Sequence, residues 1–230
     1  MHDSHETETE RFRRDGCYRW RSFLDAAEVG TLRRYAGVLL DGEKALHTPE
    51  SVRLVELYRH GRPFVDLMCK PELNEVVTDL LGKGAVLSDL SLNEVRTAGK
   101  DDVWHIDYPY SRQPDLDRGE VVALQCVLAL SPFTPRTGAT QFIPGSFRRP
   151  GQPPQPPADP PATFLAEPGD LLILAASAWH RAGTNHAADP RTAILLSYVK
   201  PTFPAMFGEP EGDGAWSRDP RVRELLGIGR

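Results

Sequence analysis

Val103-Trp104-His105-Ile106-Asp107-Tyr108 is the stretch around which this chain is organised. Its alternation reads as a β-strand that ends in a metal site. Side chains at i and i+2 of a strand point to the same face. His105 and Asp107 therefore project together, while Trp104, Ile106 and Tyr108 project the other way. One imidazole beside one carboxylate is two thirds of a 2-His-1-carboxylate set, which holds non-haem Fe(II) and leaves positions open. An H-x-D pair alone arises often by chance. It carries weight when the chain also supplies a second histidine, an anchor for an anion and a fold that brings them together.

Around this stretch the chain is rich in strands. Residues 85–95, 103–108, 121–130, 140–143, 171–175 and 192–199 all read as strands, with Gly and Pro between them and no useful helix. Helices come earlier. Asp25 and Glu28 have capping-box spacing, and Val29, Leu32, Ala36, Leu39 and Leu40 follow a helical period. Over 71–81, Pro71 suits a first turn, Leu73, Val76, Val77, Leu80 and Leu81 share a face, and Gly82 stops the helix. Residues 12–20 are expected to form an entry strand, 49–57 a helical turn, and 219–226 a short helix. Helices followed by strands without βαβ alternation predict a mainly β protein with flanking helices: a jelly-roll barrel with the N-terminal helices packed outside.

At 230 residues the chain is expected to be one domain over 12–230, with its β core at about 85–200, after a disordered polar tail over 1–11. In that tail His2 and His5 read as solvated. Residues 148–162 carry too many prolines for a central strand. They predict a stiff, partly polyproline-II loop: a lid or substrate wall, a surface connection, or a docking site for a Pro-binding module. A net charge of −5 excludes nucleic acid and anionic membrane as expected partners. Cys17, Cys69 and Cys126 show no C-x-x-C spacing, which fits reduced thiols in the cytoplasm. The start is polar and no apolar run is long enough to span a bilayer. A small-molecule partner and a monomer or homodimer are expected.

The second histidine belongs after a later strand. Glu167-Pro168-Gly169-Asp170 is a turn, Leu171-Leu172-Ile173-Leu174 an apolar strand, and His180 lies beyond its far end. Arg191 then leads into the strand Thr192-Ala193-Ile194-Leu195-Leu196-Ser197. An arginine there is costly to bury without an anion and is shaped to take a carboxylate through two hydrogen bonds.

His105-x-Asp107, the run from Gly138 to Phe147 (GATQFIPGSF), Pro168-Gly169-Asp170, and His180 followed by Arg191 together resemble the phytanoyl-CoA dioxygenase (PhyH-like) family over roughly residues 85–200. That resemblance implies an Fe(II)- and 2-oxoglutarate-dependent oxygenase on a double-stranded β-helix, using O2. It implies that His105, Asp107 and His180 ligate iron and that Arg191 holds the distal carboxylate of 2-oxoglutarate. Asn93, Gln125 and Thr140 are candidate cosubstrate contacts. Family members often carry a hydroxyl two positions after the distal histidine. This chain has Ala182 there, so either Thr184, Thr140 or Ser197 substitutes or the contact is missing.

Trp104, Tyr108, Tyr110 and Trp179 flank the ligands as a substrate wall or as core. Arg96, Lys100 and Arg112 read as substrate contacts or as solvated loop charges. The acidic balance favours a neutral or cationic small molecule over a CoA thioester. The resemblance points to hydroxylation or oxidative ring closure of a secondary metabolite, such as a sugar-containing antibiotic precursor. Two other readings stand beside it: a cupin-type metal enzyme without 2-oxoglutarate, for which Arg191 has no use, and a non-catalytic sugar-binding jelly-roll module.

Overall fold

The computed structural model describes residues 8–97, 103–113, 115–208, 210–212 and 214–229. The N-terminal part runs α1 (Glu8–Asp15), β1 (Cys17–Trp20), α2 (Ala26–Leu40), β2 (Leu46–His47), β3 (Ser51–Leu54), α3 (Arg62–Met68) and α4 (Pro71–Leu81). The barrel follows as β4 (Val86–Val95), β5 (Ala123–Ala129), β6 (Gln141–Phe142), β7 (Ala162–Thr163), β8 (Leu171–Ala175), β9 (His180–Arg181) and β10 (Arg191–Val199), and α5 (Pro220–Leu225) comes last.

Seven strands form one antiparallel sheet in the order β1-β8-β5-β10-β4-β3-β2. Three short strands form a second, β7-β6-β9. The central strands are buried on both faces, which is why they read as unbroken apolar runs. One face sends Leu90, Leu92, Cys126, Leu128, Ile194 and Leu196 into the core shared with the helices. The other sends Val127, Ala129, Leu172, Leu174 and Ala193 against Phe142 and Phe164, between the two sheets. The result is the expected mainly β jelly roll with helices outside. α2 starts with its capping box in place: Asp25 Oδ1 accepts from the amides of Ala27 and Glu28, and Glu28 Oε2 accepts from the Asp25 amide.

Several local expectations are corrected. Residues 1–7, with His2 and His5, lie outside the described residues, but 8–11 are not tail: they open α1, which Phe12 fastens to the core at 2% exposure. The expected entry strand shrinks to β1, because Gly16 ends the helix at φ +74 just before it. Residues 51–54 form β3, not a helical turn. Val52 and Leu54 are buried and alternate with Ser51 and Arg53, a period of two that lets the segment pair with β4. Residues 103–108 pair only as an isolated bridge between His105 and His180, not as a ladder strand.

Among the described residues, no helix is long and apolar enough to cross a membrane. All three cysteines are free thiols.

Candidate metal centre

β8 carries the chain to the barrel end, and residues 176–180 turn back along the His105 segment. The Asp107 amide donates to Ala176 O at 2.7 Å. His105 and His180 exchange both backbone hydrogen bonds, at 2.9 and 3.1 Å. Pairing at alternate residues keeps the segment extended, so His105 and Asp107 share one side. Trp104, Ile106 and Tyr108 enter a separate buried cluster on the other. The second edge of the segment meets a side chain in place of a strand. Gln155 Oε1 accepts from the Trp104 amide at 3.1 Å, and its Nε2 donates to the Trp104 carbonyl at 2.6 Å.

The three side chains converge. His180 Nε2 lies 3.3 Å from Asp107 Oδ2, and His105 Nε2 lies 3.8 Å from Asp107 Oδ1. One ligand atom from each residue falls within 4.8 Å of the others. Both rings are oriented from behind: His105 Nδ1 is 2.8 Å from Val103 O, and His180 Nδ1 is 2.9 Å from Ala178 O. A carbonyl only accepts, so each Nδ1 carries a hydrogen, and in the neutral ring Nε2 keeps its lone pair. Burial pushes the Asp107 carboxyl up, but His180, His105 and Arg53 outweigh it and hold the group below the usual carboxylate range. Two imidazole Nε2 atoms and a carboxylate that converge on one point form a donor set for a cation. Its chemistry suits non-haem iron. His180 is buried and the His105 side chain is 40% exposed, so the group opens toward solvent on the His105 side.

Arg191, 4% exposed, begins β10. Its Nη1 donates to Gly138 O at 2.6 Å and to Thr140 Oγ1 at 3.4 Å, and its guanidinium stands 4.6 Å from the Phe133 ring centre. Thr140 precedes β6, whose partners on β9 include His180. Thr140 is thus the hydroxyl beside Arg191, while the Ser197 hydroxyl is bonded to Gln125. Asn93 faces Ala193 across the ladder, on the face that Arg191 and Ser197 share.

Of the four flanking aromatics, Trp104, Tyr108, Tyr110 and Trp179 all lie in the buried cluster behind the ligands. Tyr110 is fully enclosed and donates to Glu120 O at 3.2 Å. Arg112 lies over the Tyr108 ring, and Arg96 donates to Thr48 O at 3.2 Å. Lys100 lies outside the described residues.

The proline-rich loop is fastened against the centre. Arg149 pairs with Asp159 and stands over Trp179, and Arg118 donates to Gly151 O. Gln155 escaped the sequence reading, and the signal available was slight: one amide side chain among prolines. Gln155→Ala is expected to weaken Co(II) binding by about tenfold, the lower range for lost support behind a metal ligand. A Co(II) titration followed by visible absorption checks this. Unchanged affinity would show that Gln155 does not hold His105 in place.

A phytanoyl-CoA dioxygenase (PhyH) model matches residues 12–193. Dioxygenase af480 of Aspergillus fumigatus (strain ATCC MYA-4609 / CBS 101355 / FGSC A1100 / Af293) is 29% identical over 153 residues, 65% of this chain and 48% of that protein. The chain thus spans about half the length of that relative. The non-heme alpha ketoglutarate dependent epimerase SnoN from nogalamycin biosynthesis shares the fold at a TM-score of 0.73 and 22% identity, with 90% of each chain covered. HygX from Streptomyces hygroscopicus, solved with nickel, 2-oxoglutarate and hygromycin B bound, does so at 0.70 and 15%, covering 90% of this chain and 94% of its own. With its model matched over most of the chain, the protein belongs to the phytanoyl-CoA dioxygenase (PhyH) family, which uses Fe(II), 2-oxoglutarate and O2.

Proposed function

We propose that the chain is an Fe(II)- and 2-oxoglutarate-dependent oxygenase that oxidises a small molecule by hydroxylation or oxidative ring closure. The observation that carries this is the convergence of His105 Nε2, His180 Nε2 and the ionised Asp107 on one point, with both Nδ1 atoms committed to carbonyls. In this reading His105, Asp107 and His180 hold the iron. Arg191 takes the distal carboxylate of 2-oxoglutarate, with Thr140 beside it and Asn93 and Gln125 along the same face. When bound, iron and 2-oxoglutarate supply the oxidising chemistry with O2.

The protein's own groups do the rest. Carbonyls of Val103 and Ala178 take the Nδ1 hydrogens, so Nε2 is the nitrogen each ring turns toward the metal. The apolar layer of Val127, Leu172, Leu174 and Phe142 keeps the inner end dry, which strengthens the pairing of Arg191 with a carboxylate. Retention of Asp107, where related halogenases leave a gap for chloride, supports oxidation over halogenation. SnoN belongs to nogalamycin biosynthesis and HygX was solved with hygromycin B. Both support a sugar-containing secondary metabolite as substrate class.

The test is anaerobic visible absorption of the protein with Fe(II), then with 2-oxoglutarate. Chelation should produce a weak band near roughly 500 nm that needs both components. Arg191→Met should keep iron and weaken 2-oxoglutarate by about a hundredfold, the scale of stripping one partner from a buried charge pair. If iron binds and no band forms, 2-oxoglutarate is not the cosubstrate, and a cupin-type activity takes its place.

A further inference from the structure

β3 and β4 place a charged pair on the inner face of the large sheet. Val52 and Leu54 turn toward the helices, so Arg53 turns the other way. In the ladder Arg53 stands opposite Asn93, and Asp89 stands opposite Ser197, which stands opposite Gln125. The pair therefore shares its face with the proposed cosubstrate contacts. It also lies within the electrostatic reach of the metal centre. Arg53 helps hold Asp107 down, and the Asp107 charge adds to the burial that pushes Asp89 up.

The hydrogen bonds of Asp89 are one-sided. Arg53 Nη2 donates to Oδ2 at 2.8 Å, and Ser91 Oγ donates to the same oxygen at 2.9 Å. Oδ1 is buried and has no partner among the described residues, in a residue only 6% exposed. Arg53 Nε is buried without a partner too, although the Arg53 side chain is 42% exposed. A carboxylate oxygen left without a donor is expensive in a folded protein. As a mere tie between two strands, a buried ion pair is no better than apolar residues of the same size. What this pair offers is an acceptor and a half-exposed donor side by side on the sheet face that carries Asn93, Ser197 and Gln125.

We propose that Arg53 and Asp89 form a substrate subsite for a polyhydroxylated ligand, a sugar or amino sugar. Asp89 Oδ1 accepts from an O–H or N–H of the ligand, and Arg53 donates to a neighbouring ligand oxygen. The inference rests on the oxygenase reading above. A subsite of this kind rejects a ligand without such groups more strongly than an apolar pocket rejects an extra methylene, because both protein groups are then left unpaired.

The experiment is calorimetric titration of the protein, both metal-free and loaded with Ni(II) and 2-oxoglutarate. The probes are hygromycin B, D-glucosamine and myo-inositol, with octanoate as the apolar control. At least one polyhydroxylated probe should bind the wild type, and octanoate should not. Asp89→Asn and Arg53→Met should each weaken that probe by about ten- to a hundredfold, as expected for a hydrogen bond to a charged group, and leave the Fe(II)–2-oxoglutarate band intact. Asp89→Asn keeps size and shape, so it decides the matter even if Arg53→Met fails to fold. The proposal is overturned if both variants bind the probe like wild type and differ only in melting temperature, since the pair is then only a strand tie. It is equally overturned if no polyhydroxylated probe binds the wild type at millimolar concentration. Failure of the oxygenase reading is separate: the wild type itself would show no band.

Discussion

His180→Ala is expected to abolish the visible band formed by Fe(II) and 2-oxoglutarate and to weaken metal binding by well over about a hundredfold. Loss of a group that merely supports a ligand costs about ten- to a hundredfold, and removing the ligand itself must cost more. His180 is also the more enclosed of the two histidines. It is buried, its Nδ1 is bonded to Ala178 O at 2.9 Å, and its Nε2 is the one nearer to Asp107, at 3.3 Å. His180→Gln controls for volume, because it fills the space and returns only a weak donor. Equilibrium dialysis against Fe(II) or Co(II) reads the outcome. Near-native metal affinity in both variants would mean that the metal sits elsewhere.

Gly138→Ala carries the second large effect, this time on stability. Gly138 has φ +74, and a Cβ built there would stand 2.2 Å from Gly183 O and 2.9 Å from Gly183 C. Both are backbone atoms of the loop that follows His180, so neither can swing aside. The expected loss is at least about 3 kcal/mol, combining left-handed strain with overpacking. At this chain length that lowers the melting temperature by roughly 6–12 °C. Gly145→Ala is the matched control, with the same φ of +74 and nothing within 4 Å of the added carbon. It should cost only the conformational part, about 1 kcal/mol. Equal melting temperatures for the two variants would remove the steric argument. The Gly138 carbonyl also accepts from Arg191 Nη1, so Gly138→Ala should loosen 2-oxoglutarate as well.

These two residues mark how far the sequence could be read. His180 was legible because it follows an apolar strand and precedes an arginine-led one. Gly138 stood in a recognisable motif, but the reason for a glycine there is a contact with Gly183 across the barrel end. β3 was misread because four residues carry too little periodicity to separate a strand from a helical turn. Its partner β4 settled the matter. Likewise, Arg53, Asp89 and Gln155 had no local signature. Their meaning lies in pairings 36 and 51 residues away along the chain.

By itself the amino-acid sequence determined the period of each strong element, the helix capped at Asp25 and the helix opened by Pro71, and it offered the side chains proposed to hold a metal and an anion. These follow from local backbone preference and donor chemistry, which neighbours in the chain suffice to express. Only the tertiary structure decided that the His105 segment pairs with His180 and Gln155 and not within a ladder. It alone turned both Nδ1 atoms to carbonyls and paired Arg53 with Asp89 across β3 and β4. Those arrangements depend on loop closures and sheet register, where the energy of each contact is small and the outcome belongs to the whole barrel.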